Sequence, residues 1–115
     1  MWVINNGQCI NAENIKKIWM KNHGQLNKDS LHVQSFVIYG EISSNITIEL
    51  FRVNDESYRR ETLNKFDENE EKIFYEIIKF LEAMKENYDL LTMAEFVEEA
   101  EKLVVPKIKE ILCNL

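Results

Sequence analysis

The sequence has little glycine and proline and no long apolar run. Three glycines and one proline among 115 residues exclude long flexible linkers. No stretch of about 18 apolar residues occurs, and the first residues show no basic segment followed by an apolar one. We therefore expect neither a membrane span nor a signal peptide, and we predict a cytoplasmic protein.

Cysteine is also scarce, because Cys9 and Cys113 are the only two and stand near opposite ends of the sequence. They form no disulfide framework and no CxxC pair. Free cysteines are usually buried, so we expect two reduced and buried thiols. A catalytic Cys9 is not favoured, since nothing in its predicted strand would activate the thiol.

Motifs that carry chemistry are missing. The sequence contains no GxGxxG, Walker A or GxSxG pattern. His23 and His32 could ligate a metal only if the fold added Cys9 or Glu41, so they are interpreted as surface residues. We predict no cofactor, no metal and no enzymatic activity, and an enzyme that uses scattered acids is the least favoured interpretation.

The charge is acidic and unevenly distributed. The net charge is −6, and residues 67–102 hold 12 acids and 4 bases, so the C-terminal half should present an acidic surface. A general nucleic-acid binder carries a basic face, so this charge argues against nucleic acid as a partner.

Length and composition predict one domain over residues 1–115, mainly β in 1–66 and mainly α in 67–115.

The first half has the pattern of a β-meander. Asn6-Gly7 lies between the apolar-rich runs 2–5 and 8–10, which predicts a two-residue hairpin turn with both central residues at positive φ. Further strands are predicted at 15–20, 31–39, 46–51 and 62–66, and loops or turns at 21–30, 40–45 and 54–61. The last strand competes with a helical turn at 56–65.

The second half predicts two helices. Asp67 and Glu70 favour a helix start, and Asn87 favours its end. The apolar face of this first helix is predicted to consist of Ile73, Ile77, Leu81 and Met84, widened by Phe74, Ile78 and Phe80.

Thr92 and Glu95 form a capping box for the second helix. Pro106 should kink or restart this helix, because proline removes a backbone donor and clashes with the carbonyl four residues back. Its apolar stripe is predicted to consist of Met93, Phe96, Val97, Ala100, Leu103, Val104, Ile108, Ile111 and Leu112.

These elements predict an α+β fold, an antiparallel meander of four to six strands with two C-terminal helices packed on one face. One small sheet can hardly cover both stripes, so we predict a homodimer through residues 92–112. Candidate interaction residues there are Phe96, Leu103 and Ile108. A second candidate patch is Tyr58, Arg59 and Arg60, because Tyr and Arg are enriched at binding hot spots.

Two charged groups have ordinary interpretations beside functional ones. Lys16, Lys17, Lys21 and Lys28 surround Trp19, a pattern that suits ligand or nucleic-acid contacts but also protection of an edge strand. The acids at positions 98, 99 and 101 are interpreted as a solvated face.

The segments Trp2–Gly7, Ile10–Ile15 with Ile18, and Phe66–Glu71 carry a resemblance. They resemble small uncharacterised proteins of low-GC bacteria and their phages, which open with a strand, a turn and an I-N-x-x-N-I-x-x-I stretch and end in a helix. The resemblance implies a meander that feeds a helix, and it implies no activity. The second helix, 92–113, extends beyond this pattern.

The sequence thus favours a non-catalytic protein-interaction domain of a bacterial or mobile-element system, an acidic protein that meets a basic partner. The alternative is a pleckstrin-like module for a ligand or lipid headgroup, with the sheet-side lysines as contacts.

Overall fold

The structure is a computed structural model that describes residues 1–22, 34–43, 46–55 and 68–113. In these ranges the chain has the predicted α+β class, with six strands and three α-helices. The elements in chain order are β1 (Trp2–Asn5), β2 (Gln8–Asn11), a 3₁₀ helix (Ala12–Asn14), β3 (Lys17–Asn22), β4 (Gln34–Ser43), β5 (Ile46–Asp55), α1 (Glu70–Asn87), β6 (Leu90–Thr92), α2 (Met93–Leu103) and α3 (Val105–Cys113).

The N-terminal hairpin forms as predicted. Strands β1 and β2 pair antiparallel with Asn5 opposite Gln8, so the turn contains only two residues. Asn6 has a φ of 49° and Gly7 a φ of 77°, which places both in the left-handed region that this turn requires.

The described strands lie in two three-stranded sheets rather than one. The N-terminal sheet has the order β2-β1-β6, and the meander sheet has the order β3-β4-β5. Strand β6 was not predicted, and it pairs parallel with β1. The chain reaches this position after α1, so β6 ties the start of the chain to the helical half.

The turn predicted at 40–45 is wrong for Gly40–Ser43, because these residues continue β4. Gly40 serves close packing instead of a turn. A Cβ atom there would lie 3.3 Å from Ile15 Cγ2 and 3.4 Å from Leu50 Cδ1. The missing side chain therefore lets Ile15 and Leu50 approach the strand.

A bulge interrupts the register of β5. Ile38 lies opposite Phe51, but Tyr39 lies opposite Glu49, which leaves Leu50 as an extra residue. Leu50 and Phe51 are consequently both buried, each 2% exposed. Ile46, at the start of the strand, is exposed.

Helix α1 begins at Glu70 and ends at Asn87, as predicted for its end. Its buried face consists of Ile73, Ile77, Phe80, Leu81 and Met84. Ile78 does not widen that face, because it lies more than about 100° around the helix from the middle of the face and is 47% exposed.

The second predicted helix exists as two helices. The capping box is confirmed, because the Glu95 N–H donates to Thr92 Oγ1 and the Thr92 N–H donates to Glu95 Oε1, each at 3.1 Å. Helix α2 ends at Leu103, and α3 restarts at Val105. Pro106 thus lies in a first helical turn, where its missing N–H leaves no hydrogen bond unmade.

One hydrophobic cluster joins both sheets to all three helices. It contains Val3 and Leu91 of the N-terminal sheet, Ile38, Leu50, Phe51 and Val53 of the meander sheet, and the buried faces of α1, α2 and α3. At its centre Phe80 contacts Phe51 edge-on, with ring centroids 6.1 Å apart, and Phe96 at 5.4 Å.

This cluster corrects the predicted interaction residues Phe96 and Ile108. Phe96 is 1% exposed and Ile108 is fully buried, so both belong to the core of the chain itself. The break before Pro106 lets α3 contact α1 and β5, which places Ile108 and Leu112 of the predicted stripe in the core. Leu103, by contrast, remains 46% exposed.

Several predictions fall on residues outside the described ranges. They concern His23, His32, Lys28, the patch Tyr58, Arg59 and Arg60, the strand at 62–66 with its competing helical turn, the cap Asp67, and most of the loops at 21–30 and 54–61.

Candidate interaction surfaces

The outer face of the N-terminal sheet is apolar. Because β1 alternates, Val3 points into the core and its neighbours Trp2 and Ile4 point outward. The register places Leu90 of β6 opposite Trp2, and Cys9 of β2 opposite Ile4. Trp2 is 46%, Ile4 40% and Leu90 56% exposed, so three large apolar side chains lie together in solvent.

The apolar surface continues past the edge of this sheet. A shallow groove of about 390 Å³ lies beside Trp2 and Cys9 and reaches Ile42 and Ile46. None of the lining residues in the described part of the chain is charged, although 30% of the chain is Asp, Glu, Lys or Arg. The uncharged face is defined here as Trp2, Ile4, Cys9, Ile46 and Leu90.

The position of Cys9 differs from the prediction, and Cys9 lies on an edge strand of the N-terminal sheet as described. Its thiol is free and exposed, not buried as expected. Cys9 lies in β2, which the described residues pair on one side only, with β1. The strand Gln8–Asn11 contains neither charge nor proline, the features that usually protect an edge strand from pairing with another chain.

A second surface lies where α2 and α3 meet beside α1. It is a groove of about 520 Å³, called here the inter-helix groove. Phe80, Ala83, Leu103 and Pro106 form its apolar part. Its charged lining residues are Glu76, Lys79, Lys102 and Lys107. Leu103 is thus the one residue of the predicted trio Phe96, Leu103 and Ile108 that remains at the surface.

One carboxylate organises the lysines of this groove. Glu76 Oε1 lies 3.0 Å from Lys79 Nζ, and Glu76 Oε2 lies 3.5 Å from Lys107 Nζ. The hydrogen bond from Lys79, assisted by the charges of both lysines, holds the pKa of the Glu76 carboxyl below its ordinary value of 4.5. Glu76 therefore remains ionised at neutral pH and fixes two ammonium groups beside the apolar wall.

Three of the four lysines of the predicted group lie in the described ranges, Lys17 and Lys21 on β3 and Lys16 just before it. Lys17 Nζ lies 5.9 Å from the centre of the Trp19 ring, and Trp19 stacks on Tyr39 with centroids 5.7 Å apart. Lys16 and Lys21 are exposed. Because β3 is an edge strand of the meander sheet as described, this position suits protection of an edge as well as ligand contact.

The acids at positions 98, 99 and 101 lie on α2. Lys102 Nζ lies 3.5 Å from Glu98 Oε1 and 4.0 Å from Glu99 Oε1, and Glu101 is exposed. Within the described ranges, no three His, Cys, Asp or Glu side chains are grouped so that they could hold a metal ion. The helices in those ranges are all too short or too polar to cross a membrane.

The uncharged face was not predicted, although local alternation in β1 gave part of the signal for it. Alternation in β1 shows that Val3 and its neighbours point in opposite directions, but not which of them meets the core. That choice depends on β6, which comes from a segment more than 80 residues further along the chain.

No protein-family model, curated protein or solved structure matches this chain, so the resemblance to small proteins of low-GC bacteria and their phages stays a prediction.

Proposed function

We propose that this chain is a non-catalytic protein-interaction domain that contacts its partner through the uncharged face. The observation that carries the proposal is the exposure of Trp2, Ile4 and Leu90 in register on one sheet face. Contiguous apolar patches on a protein surface mark interaction sites, since their exposure to water is unfavourable.

The chemistry of this face resembles the centre of a protein interface. Interface cores are depleted in charge and enriched in aromatic residues, and tryptophan is among the strongest hot-spot residues. Trp2 is positioned for such a role because its backbone N–H donates to the Asp89 carbonyl at 2.8 Å, which holds it against the start of β6.

Acidic groups border this surface and favour a basic partner. Asp89 and Glu13 are exposed beside the N-terminal sheet, and exposed carboxylates continue along α1 and α2. Such a distribution steers a positively charged partner toward the molecule, after which the uncharged face supplies the contact. A partner strand could extend the sheet at β2. A second copy of the chain is one partner that fits this geometry.

We propose that the chain functions in the cytoplasm, as part of a bacterial or mobile-element system. The free thiol of Cys9 and the lack of a disulfide framework are consistent with a reducing compartment.

The test is a comparison of captured partners between matched variants. The double variant Trp2→Ser with Leu90→Ser removes the centre of the uncharged face. The control, Tyr75→Ser with Ile78→Ser, removes two similarly exposed apolar side chains from α1. Each tagged chain is used to capture proteins from cells that express it, and captured proteins are identified by mass spectrometry and titrated in purified form.

We expect one identified protein to bind the wild type and the control with equal affinity, and the sheet variant at least tenfold more weakly. If the partner is a second copy of the chain, sedimentation velocity of the same three proteins detects it as a dimer. A partner that binds the sheet variant as tightly as the wild type would reject the uncharged face as the contact surface.

A further inference from the structure

The inter-helix groove has a different chemistry from the uncharged face, and the described residues that line the two are all different. We propose that this groove is a second binding site, which takes an amphipathic helical segment of a protein partner with acidic side chains next to an apolar anchor. This inference does not depend on the function proposed for the N-terminal sheet.

The shape of the groove suits a helix. The residues that α1 contributes, Glu76, Lys79, Phe80 and Ala83, follow the spacing i, i+3, i+4, i+7 and so form one stripe about 10 Å long. Leu103 and Pro106 form the facing wall, where α2 stops and α3 restarts. A helix laid into an apolar groove between two helices is a recurring mode of peptide recognition, with anchors at the same spacing.

The apolar wall is available for contact. Leu103 is 46% exposed, whereas its neighbour Val104 is 1% exposed and belongs to the core. Leu103 therefore contributes little to the packing of the chain and leaves an apolar surface into which one partner side chain can pack.

The rim of the groove selects acidic groups. Among the described lining residues, three lysine ammonium groups lie beside one carboxylate, that of Glu76. Lys102 and Lys107 are 61% and 57% exposed, and the ion pairs of Lys102 with Glu98 and Glu99 are long, at 3.5 and 4.0 Å. Exposed pairs of this kind are weak, so a partner carboxylate can compete for Lys102.

Charge and exposure also exclude two other occupants. A two-fold symmetric contact would join two rims whose described residues are three lysines and one glutamate each, so most of the lysines would find no acidic group across the contact. A small molecule would remain largely in water here, because Lys79, Lys102 and Leu103 are 43%, 61% and 46% exposed, whereas ligand pockets bury most of their ligand. A helical protein segment satisfies both constraints.

The probe is a capped, alanine-rich helical peptide with leucines at i, i+3 and i+7 on one face and glutamates flanking them. A second peptide carries lysine in place of every glutamate. Binding of both to the full chain is measured by fluorescence anisotropy at low and high salt. The protein variants are Leu103→Gln and Lys102→Gln, with Ile78→Gln and Lys85→Gln as controls on exposed positions of α1 outside the groove.

We expect the glutamate peptide to bind the wild type at least tenfold more tightly than the lysine peptide, and more weakly in high salt. Leu103→Gln should weaken the binding of the glutamate peptide about tenfold and Lys102→Gln about threefold, while both control variants should bind it as the wild type does. The proposal is overturned if the wild type binds neither peptide, if both peptides bind equally, or if Leu103→Gln leaves the affinity unchanged.

Discussion

Trp2 and Leu90 lie directly opposite each other on parallel strands, although one begins the chain and the other follows the first helix. Their neighbours Val3 and Leu91 form the adjacent pair and point the other way, into the core. The strand pair therefore has one face that stabilises the fold and one face that is left in water.

This division predicts opposite effects for two adjacent leucines. Leu91 is 3% exposed, so Leu91→Ala should lower the free energy of unfolding by about 2 to 4 kcal/mol through lost burial and the cavity left behind. Leu90→Ala should change it by less than about 0.5 kcal/mol, as is usual for exposed positions. Urea denaturation followed by circular dichroism measures both. Equal losses would contradict the assignment of the two faces.

The hairpin turn predicts a penalty that comes from the backbone alone. A Cβ atom at Gly7 would contact nothing within 4 Å, but the φ of 77° is unfavourable for a side chain. Gly7→Val should therefore lower the free energy of unfolding by more than about 1 kcal/mol. Asn6→Gly, at the other positive φ, should be nearly neutral and serves as the control in the same denaturation series. A Gly7→Val protein as stable as the wild type would contradict the turn geometry.

The two apolar residues on α2 predict separate roles in stability. Phe96 packs against Phe80 in the core, so Phe96→Ala should lower the free energy of unfolding by about 3 to 5 kcal/mol. Leu103→Ala should cost less than about 1 kcal/mol, because Leu103 is half exposed in the groove. Thermal unfolding compares the two. A Leu103 variant as unstable as the Phe96 variant would show that Leu103 is a core residue.

The Glu76 ion pairs predict a pH dependence of known sign. Because Lys79 lowers the pKa of this carboxyl in the folded state, ionised Glu76 stabilises the fold above its ordinary pKa of 4.5. That contribution is lost as the pH falls through the folded-state pKa. The stability difference between wild type and Glu76→Gln should therefore be largest at neutral pH and vanish at a pH well below 4.5.

Denaturant titrations at both pH values provide the measurement. Glu82→Gln, an exposed carboxylate of the same helix, is the control. A wild-type advantage over Glu76→Gln that stays constant or grows in acid would contradict the ion-pair geometry.

Features fixed by a few neighbouring residues could be predicted from the sequence. The Asn6-Gly7 turn depends on two φ angles, and the Thr92–Glu95 box depends on two hydrogen bonds within one helical turn. The helix restart near Pro106 depends on one missing backbone donor. Each is local, so no knowledge of the rest of the fold was needed.

Features fixed by distant residues could not be predicted in the same way. Gly40 was interpreted as a turn, but its role is the close approach of Ile15 and Leu50, which the sequence does not place beside it. The broad stripe of the second helix indicated a partner chain, but much of it packs in the core, namely Phe96, Ala100, Val104, Ile108 and Leu112. The homodimer through residues 92–112 stays a prediction. A second sheet that includes β6 was not foreseen. The uncharged face depends on that same sheet.

The most direct test of the uncharged face is site-specific photo-crosslinking in cells that express the chain. The photo-reactive residue p-benzoylphenylalanine is placed at position 90 in one protein and at position 75 in another, two positions of similar exposure, 56% and 61%. We expect an adduct of one discrete mass from position 90, with a partner or a second copy, and none at that mass from position 75. Identical adducts from both positions, or none from position 90, would contradict it.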